Sequence, residues 1–240
     1  ALPARSEMCI RDRFHSIDKI IKLASKNFDT AFKSQNKKFK YLNDWLKFES
    51  EMFIKEIPKY RNKNKVYKKG VILYAKFGIN IGSEFSGNHF CVVFEKNDHA
   101  FQDQLVVIPL TSKNNKRTIE LEDHFLELAV KQLYKNLKGI QSNSDKLDKL
   151  LDSGIKTKKD LNSARNMLNK NMRDTENIDK IFNRYQRYLG KNTYIDMNHI
   201  ITISKKRISR LNNMDPIGQI TLSQNSLDII DNYIKANYLN

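Results

Sequence analysis

The sequence is poor in the features that mark secreted and membrane proteins. Only two cysteines, Cys9 and Cys91, occur in 240 residues, so a disulfide framework cannot form, and no Cys-x-x-Cys pair indicates structural zinc. No apolar run approaches the roughly 18 residues that a membrane helix needs. Residues 1–13 also lack the apolar stretch of a signal peptide. With 40% hydrophobic residues and a mean hydropathy of −0.63, we expect a water-soluble cytoplasmic protein with a real core and no membrane contact.

Acidic residues are also in short supply. Lys and Arg number 43 against 27 Asp and Glu, a net charge of +16, of which +10 falls in residues 1–69 and only +4 in residues 119–193. Such an excess predicts a polyanionic partner, because each cation that meets a phosphate releases a counterion. The alternative is a Lys/Asn-rich composition that reflects an AT-rich genome and no ligand. If nucleic acid is the partner, the N-terminal segment is the better candidate to face it.

Changes in hydrophobic period divide the chain. Residues 1–13 fit poorly with the rest of the chain and are predicted to be an extraneous segment, whereas residues 14–65 show helical spacing and form an N-terminal helical extension. Short β-branched and aromatic runs in residues 66–118 and again in 194–240 predict one split β domain. Between them, residues 119–193 return to helical spacing and form an insertion. The predicted fold class is therefore α+β.

Two helical regions allow finer predictions. The insertion is long enough for an antiparallel pair of helices, with turns predicted at the polar stretches 141–145 and 174–177. A dimer arm, a partner dock or a nucleic-acid-binding extension are the roles open to it. The chain closes on an amphipathic helix, Ser223–Tyr238, with Ser223 as its N-cap. Strands are also predicted at the segments 194–197, 199–203 and 219–222.

Three blocks of the β domain form a recognisable set. They are the loop GSEFSG (Gly82–Gly87) with the strand His89–Phe94 after it, the strand Val106–Ser112 that ends in Thr-Ser, and the segment Ile201–Arg207, read ITISKKR. In this order they resemble the PemK/MazF family of toxin endoribonucleases. The resemblance covers about 100 of the 240 residues, and neither the N-terminal helices nor the insertion belongs to the minimal family.

The resemblance implies a fold, an activity and partners. The fold would be a small SH3-like β barrel, extended here by N-terminal helices, the insertion and a C-terminal helix. The activity would be metal-independent cleavage of single-stranded RNA without a cofactor, in which the ribose 2′-OH attacks the phosphate and leaves a cyclic phosphate and a 5′-OH. The protein would be a homodimer and the toxin of a toxin–antitoxin system, neutralised by a cognate antitoxin protein.

Catalysis without a metal requires a base, an acid and donors for the charged phosphorane from side chains. The family usually places Arg where His89 stands; an imidazole titrates near pH 6.5 and could act as base or acid. Because it neutralises charge less well than Arg, a neighbouring cation such as Lys113 would assist. Thr111 and Ser112 match the family's phosphate-contacting pair. The structural alternatives are a hydrogen-bonded strand histidine and hydroxyls that cap a strand end.

Further residues are predicted to bind substrate or shape the site. Glu84, Gly87 and Asn88 belong to the loop that covers the active site in the family; Glu84 would brace the loop, and its glycines would supply backbone geometry. Lys205, Lys206 and Arg207 could contact RNA phosphates or form a solvated turn. Tyr67 and Tyr60 are candidates to stack on bases.

The sequence also departs from the family. Where some members carry an Arg and an acid two residues apart, this chain has Asp196 and Asn198, so that acid–base assignment does not carry over; Asp196 and His199 are possible substitutes. The alternative function is a non-enzymatic toxin or nucleic-acid-binding module on the same barrel, like toxins that poison DNA gyrase, or a scaffold for the helices. His99 and His124 lack metal-ligand spacing, and Cys91 is predicted to be a packed thiol.

Overall fold

The described part of the chain divides into two compact units. The structure is a computed structural model that describes residues 5–57 and 63–239, with side chains from residue 17 onward. Of the described residues, the first unit comprises 5–57 and 78–86, and the second comprises 63–77 and 87–239. The predictions for Tyr60 and for residues 1–4 lie outside the described residues.

The first unit is helical, as the spacing of its apolar residues predicts. Helix α1 spans Arg5–Lys33, a 3-10 turn spans Lys37–Phe39, and helix α2 spans Leu42–Glu56. The backbone of residues 5–13 continues α1 without a break. Apolar side chains recur along one stripe of each helix. On α2 this stripe includes the buried Leu42, whereas Ile20, Ile21 and Leu23 of α1 are exposed.

A loop after the first strand, residues 78–86, belongs to this helical unit. The Trp45 ring lies so close to Gly78 that a Cβ there would stand 2.5 Å from it, and Gly78 has φ +96°. Lys38 Nζ donates to the Gly82 carbonyl at 2.6 Å. Asn80 braces the loop from within, since its backbone N–H donates to Ser86 Oγ at 3.0 Å and its side-chain amide to the Phe85 carbonyl.

The second unit contains the sheet. Its strands are β1 (Ile72–Gly78), β2 (Gly87–Val93), β3 (Gln104–Thr111), β4 (Thr118–Glu120), β5 (Tyr194–Asp196) and β6 (Ile201–Ser204). The order is β1-β2-β3-β5-β4, and β6 pairs with β3 beside β5. The sheet is antiparallel and, over the described residues, remains open. The α+β class is thus confirmed.

Two strand predictions need correction. Segment 219–222 forms no strand; Thr221 makes only an isolated bridge to Val71, because Pro216 and Gly218 bend the chain just before it. Conversely, Thr118–Glu120 at the start of the predicted helical insertion is strand β4, which pairs with β5 through Ile119 and Ile195. Three residues are too few to show a period of two in the sequence.

The insertion forms two long helices, and the predicted turns at 141–145 and 174–177 are wrong. Helix α3 spans Phe125–Asp152 and helix α4 spans Lys158–Tyr185, without interruption. The polar side chains at those stretches bond within the helix, as Gln141 does to Asp145 four residues on. The turn lies at residues 153–157, where Gly154 has φ +77° and Thr157 starts α4 with a capping box.

The C-terminal helix follows the prediction. Helix α5 spans Gln224–Tyr238, and Ser223 caps it by accepting the N–H of Ser226. Ile230 and Ile234 bury its apolar face. The core beneath the sheet is filled by completely or almost completely buried aliphatic residues, among them Ile72, Leu73, Leu105, Ile108, Ile195, Met197 and Ile217. Among the described residues, none of the helices combines the length and apolar character that crossing a bilayer requires.

One buried carboxylate ties the insertion to the rest of the unit. Asp215 is 0% exposed, and its Oδ1 accepts the Tyr185 hydroxyl at 2.8 Å and the Ile217 N–H at 3.1 Å. Its Oδ2 accepts the Leu211 N–H at 2.8 Å and lies 3.4 Å from the Arg184 guanidinium. The end of α4 is therefore fixed to the segment after β6.

Candidate functional site

The β2–β3 ladder runs toward His89 and Thr111. Cys91 lies opposite Pro109 and Val93 opposite Val107, and the same register extended by two residues would place His89 across from Thr111. Directly opposed residues of antiparallel strands have Cβ atoms about 4.5–5.5 Å apart. Thr111 pairs on its other side with Tyr194 of β5. Both residues lie at strand ends, where side chains leave the core and reach solvent.

These strand ends form one side of a cleft of about 200 Å³. The polar groups on this side come from β2 and from the end of β3, and they are Asn88, His89, Thr111, Ser112 and Lys113. Five residues predicted from the sequence as catalytic or substrate-binding therefore line a single cavity. The volume lies below the roughly 300–1,000 Å³ of sites for drug-sized molecules and suits a smaller fragment of a ligand.

Local backbone geometry presents the polar groups to the cleft. Gly87 has φ +99°, which favours glycine, and a Cβ at that position would make an ordinary contact of 3.4 Å with His89 Nε2. Thr111 Oγ1 accepts the backbone N–H of Lys113 at 3.1 Å. Because that bond uses a lone pair, the hydroxyl proton of Thr111 can still be donated to an anion. Ser112 and Lys113 are exposed, whereas His89 and Thr111 are half-buried.

Aromatic rings from the sheet and the insertion form the floor. Phe90 and Phe125 have ring centroids 4.1 Å apart, and Tyr188 meets both rings edge-on at 5.2 and 5.7 Å. Tyr185 stacks on Phe125 from the buried side at 5.4 Å. Partial burial, with the neighbouring Tyr74 as a smaller cause, raises the pKa of the Tyr188 phenol, which therefore stays neutral at physiological pH.

The opposite side of the cleft is built by the insertion, a role that the sequence pattern does not predict. Leu126 of α3 and the segment after α4, with Tyr188, Lys191, Asn192 and Thr193, complete it. Thr193 is buried and its hydroxyl accepts the Phe125 N–H at 2.9 Å, so it joins the start of α3 to the start of β5. In the sequence, the signal for this side of the cleft is an aromatic and a cationic residue, Tyr188 and Lys191, shortly before a predicted strand.

Other predicted residues lie elsewhere. Lys205 is buried, and its ammonium donates to Asp98 at 2.6 Å and to the Lys65 carbonyl at 3.0 Å, so its hydrogen bonds serve the fold. Arg207 donates to the carbonyls of Lys76 and Phe77. Neither residue lines the cleft, and neither does the exposed Lys206. These three residues, predicted to contact substrate, are therefore not among the residues that line this cavity.

The remaining candidates divide between the two units. Asp196 and His199 form a pair, with Oδ2 and Nδ1 3.0 Å apart, and do not line the cleft. Tyr67 is buried, so its ring is not presented as a stacking platform. Glu84 belongs to the first unit; its side chain is exposed, and the hydrogen bonds that brace its loop run through its backbone N–H and carbonyl.

The structure also bears on the reactivity of Cys91 and on metal binding. Burial raises the pKa of the Cys91 thiol far above its ordinary value, and the side chain is 0% exposed within β2. Within the described parts of the chain, no group of three or more His, Cys, Asp or Glu residues is placed to hold a metal ion. Compared with known protein families and with curated proteins, the chain matches none.

Proposed function

We propose that the protein is an endoribonuclease that cleaves single-stranded RNA with side chains alone, and that the cleft of His89, Thr111 and Ser112 is its active site. The observation that carries the proposal is the meeting of an imidazole, two hydroxyls and an ammonium from separate segments in one small cavity. A base, hydrogen-bond donors and a cation are the groups that phosphodiester transfer to a neighbouring hydroxyl needs.

The proposed reaction begins at the ribose 2′-OH. His89, in its neutral form, takes the 2′ proton while the 2′ oxygen forms a bond to phosphorus. Thr111 and Ser112 donate hydrogen bonds to the nonbridging oxygens, and the Lys113 ammonium offsets the added negative charge of the phosphorane. The bond from phosphorus to the 5′ oxygen then breaks, and that oxygen takes a proton from water at the open mouth of the cleft. The products are a 2′,3′-cyclic phosphate and a 5′-OH.

The proposal extends to the PemK/MazF-like fold and its partners. Bridges from Ala75 of β1 to Ile208, and from Val71 just before β1 to Thr221, join this part of the chain to the segment after β6. A barrel would require such a contact between its first and last strands. We therefore include a small SH3-like barrel in the proposal. A homodimer and a neutralising antitoxin complete it, as the family resemblance implies.

The proposal is tested by incubating the purified full chain with end-labelled RNA in the presence of a chelator. We expect cleavage by the wild type, a loss of at least about 100-fold for His89→Ala because general-base catalysis contributes that much, and a smaller loss for Thr111→Val. His99→Gln, which changes a histidine outside the cleft, is the matched control and should cleave normally. RNA that stays intact with the wild type would instead favour a non-enzymatic binder.

A further inference from the structure

The insertion does more than close the cleft, because a second hollow continues from it. This hollow, of about 330 Å³, shares Leu126, Tyr188, Lys191 and Asn192 with the first and extends to His124 and Glu127. The shared residues thus stand between two adjoining cavities. A ligand that crossed from one to the other would have to pass over Tyr188 and beside Lys191.

The groups at this junction differ from those around His89. The Tyr188 ring is half-exposed and is held edge-on by Phe90 and Phe125, so it is a rigid aromatic surface. Lys191 is exposed and brings a cation to the same place. A base-stacking ring next to a phosphate-binding ammonium is the combination with which proteins hold single-stranded nucleic acid.

Hydrogen bonding at the junction favours particular bases. The Asn192 side-chain amide donates one of its two Nδ2 hydrogens to Glu120 on β4, which leaves Oδ1 as an acceptor and the second hydrogen as a donor for a ligand. Glu127, in the second hollow, adds carboxylate oxygens and disfavours a phosphate there. Acceptors match the exocyclic amino groups of adenine, cytosine and guanine, whereas uracil offers an acceptor only its ring N3–H.

We propose that Tyr188, Lys191 and Asn192 form a nucleotide subsite next to the scissile phosphate, which stacks one base and selects one with an amino group. The proposal rests on the proposed function, since it assigns the same cleft an RNA substrate. The insertion would then determine which RNA sequence is bound, while the strand ends perform the cleavage.

Binding of a non-cleavable probe tests the subsite apart from catalysis. Fluorescently labelled 2′-O-methyl oligoribonucleotides, five residues long, are titrated with the full chain and binding is followed by anisotropy. Tyr188→Leu should weaken binding at least about fivefold, in line with the loss of one stacked base. Tyr188→Phe should bind as the wild type does, because the ring remains. Phe182→Leu changes an exposed aromatic residue of α4 outside both hollows and is the control.

The cation and the amide have their own variants. Lys191→Ala should weaken binding of all probes alike and reduce its salt dependence, whereas Lys180→Ala on α4 should not. Asn192→Ala should reduce the preference for amino-bearing bases over uracil at one position by at least about fivefold, and exposed Asn183→Ala should leave it unchanged. Circular dichroism spectra of all variants are compared so that misfolding is not scored as lost binding.

The outcomes separate the two proposals. Binding that is unchanged within twofold in Tyr188→Leu and Lys191→Ala overturns the subsite, even if RNA is cleaved and His89→Ala abolishes cleavage. The same unchanged binding would be measured if the true occupant of this junction were a peptide. Binding that depends on these residues as expected, in a protein that cleaves no RNA, supports the subsite and refutes the nuclease.

Discussion

The carboxylate of Asp215 should be a measurable source of stability, because it is fully buried and receives a hydrogen bond from Tyr185 at 2.8 Å. Tyr185→Phe removes that donor and keeps the ring that stacks on Phe125. A hydrogen bond to a charged group contributes about 1.5–3 kcal/mol. We expect the free energy of unfolding to fall by about 2 kcal/mol and Tm by roughly 4–8 °C for a chain of this size.

Thermal unfolding followed by circular dichroism measures the change. Tyr134→Phe is the matched control, since Tyr134 is 60% exposed on α3 of the same insertion and should shift the free energy of unfolding by less than about 0.5 kcal/mol. A Tyr185→Phe protein as stable as this control would refute the claim that the hydrogen bond from the Tyr185 phenol to Asp215 stabilises the fold.

The same pair predicts a pH dependence. Burial, and then the negative charge of Asp215, raise the pKa of the Tyr185 phenol above its ordinary value of 10.0. A raised pKa means that the protonated form is favoured in the folded state, so its stabilisation is complete below pH 10 and is lost as the pH rises further. Wild-type stability should therefore decline more steeply above pH 10 than that of Tyr185→Phe. Equal slopes for the two proteins would contradict the assignment.

Three further predictions concern other parts of the structure. Gly78→Ala should lower the free energy of unfolding by about 2–4 kcal/mol, because φ is +96° and the new Cβ would meet Trp45 at 2.5 Å. Fluorescence of Trp45, the single tryptophan, should report the loss. Gly154→Ala, where a Cβ would stand in open space, should lower the free energy of unfolding less. Lys205→Met should lower the free energy of unfolding by about 3–5 kcal/mol in urea titrations, since it leaves Asp98 buried without its cation, whereas exposed Lys180→Met should have little effect. Cys91 should resist iodoacetamide at pH 8 until the protein is unfolded, because burial raises the pKa of its thiol, and labelling of the folded protein at Cys91 in mass spectra would contradict this.

Local sequence patterns were enough to predict the strands that carry His89 and Thr111. Runs of β-branched residues marked β2 and β3, and the Gly-rich loop and the Thr-Ser end marked where each strand begins or stops. Ser223 likewise marked the start of α5. Such features depend on residues that are close in sequence, so a single chain is enough to predict them.

Contacts between residues that are distant in sequence could not be predicted from local patterns. Nothing near Tyr188 or Asn192 indicates that the chain returns to β2 after two helices, since that depends on Thr193 bonding Phe125 across the insertion. Lys205 illustrates the converse error: a cation in a Lys-Lys-Arg run suggests solvent, yet Asp98, more than a hundred residues earlier, draws it into the interior. Only the tertiary fold distinguishes it from Lys206.

The most direct test of the central claim is the chemistry of the RNA ends. An oligoribonucleotide is incubated with the full chain and a chelator, and its products are identified by mass spectrometry alongside a copy with a 2′-deoxyribose at the cleaved position. The account predicts a 2′,3′-cyclic phosphate and a 5′-OH from the first RNA, no cleavage of the second, and no cleavage of either by His89→Ala. Products with a 5′-phosphate, or cleavage of the deoxy copy at that position, would contradict it.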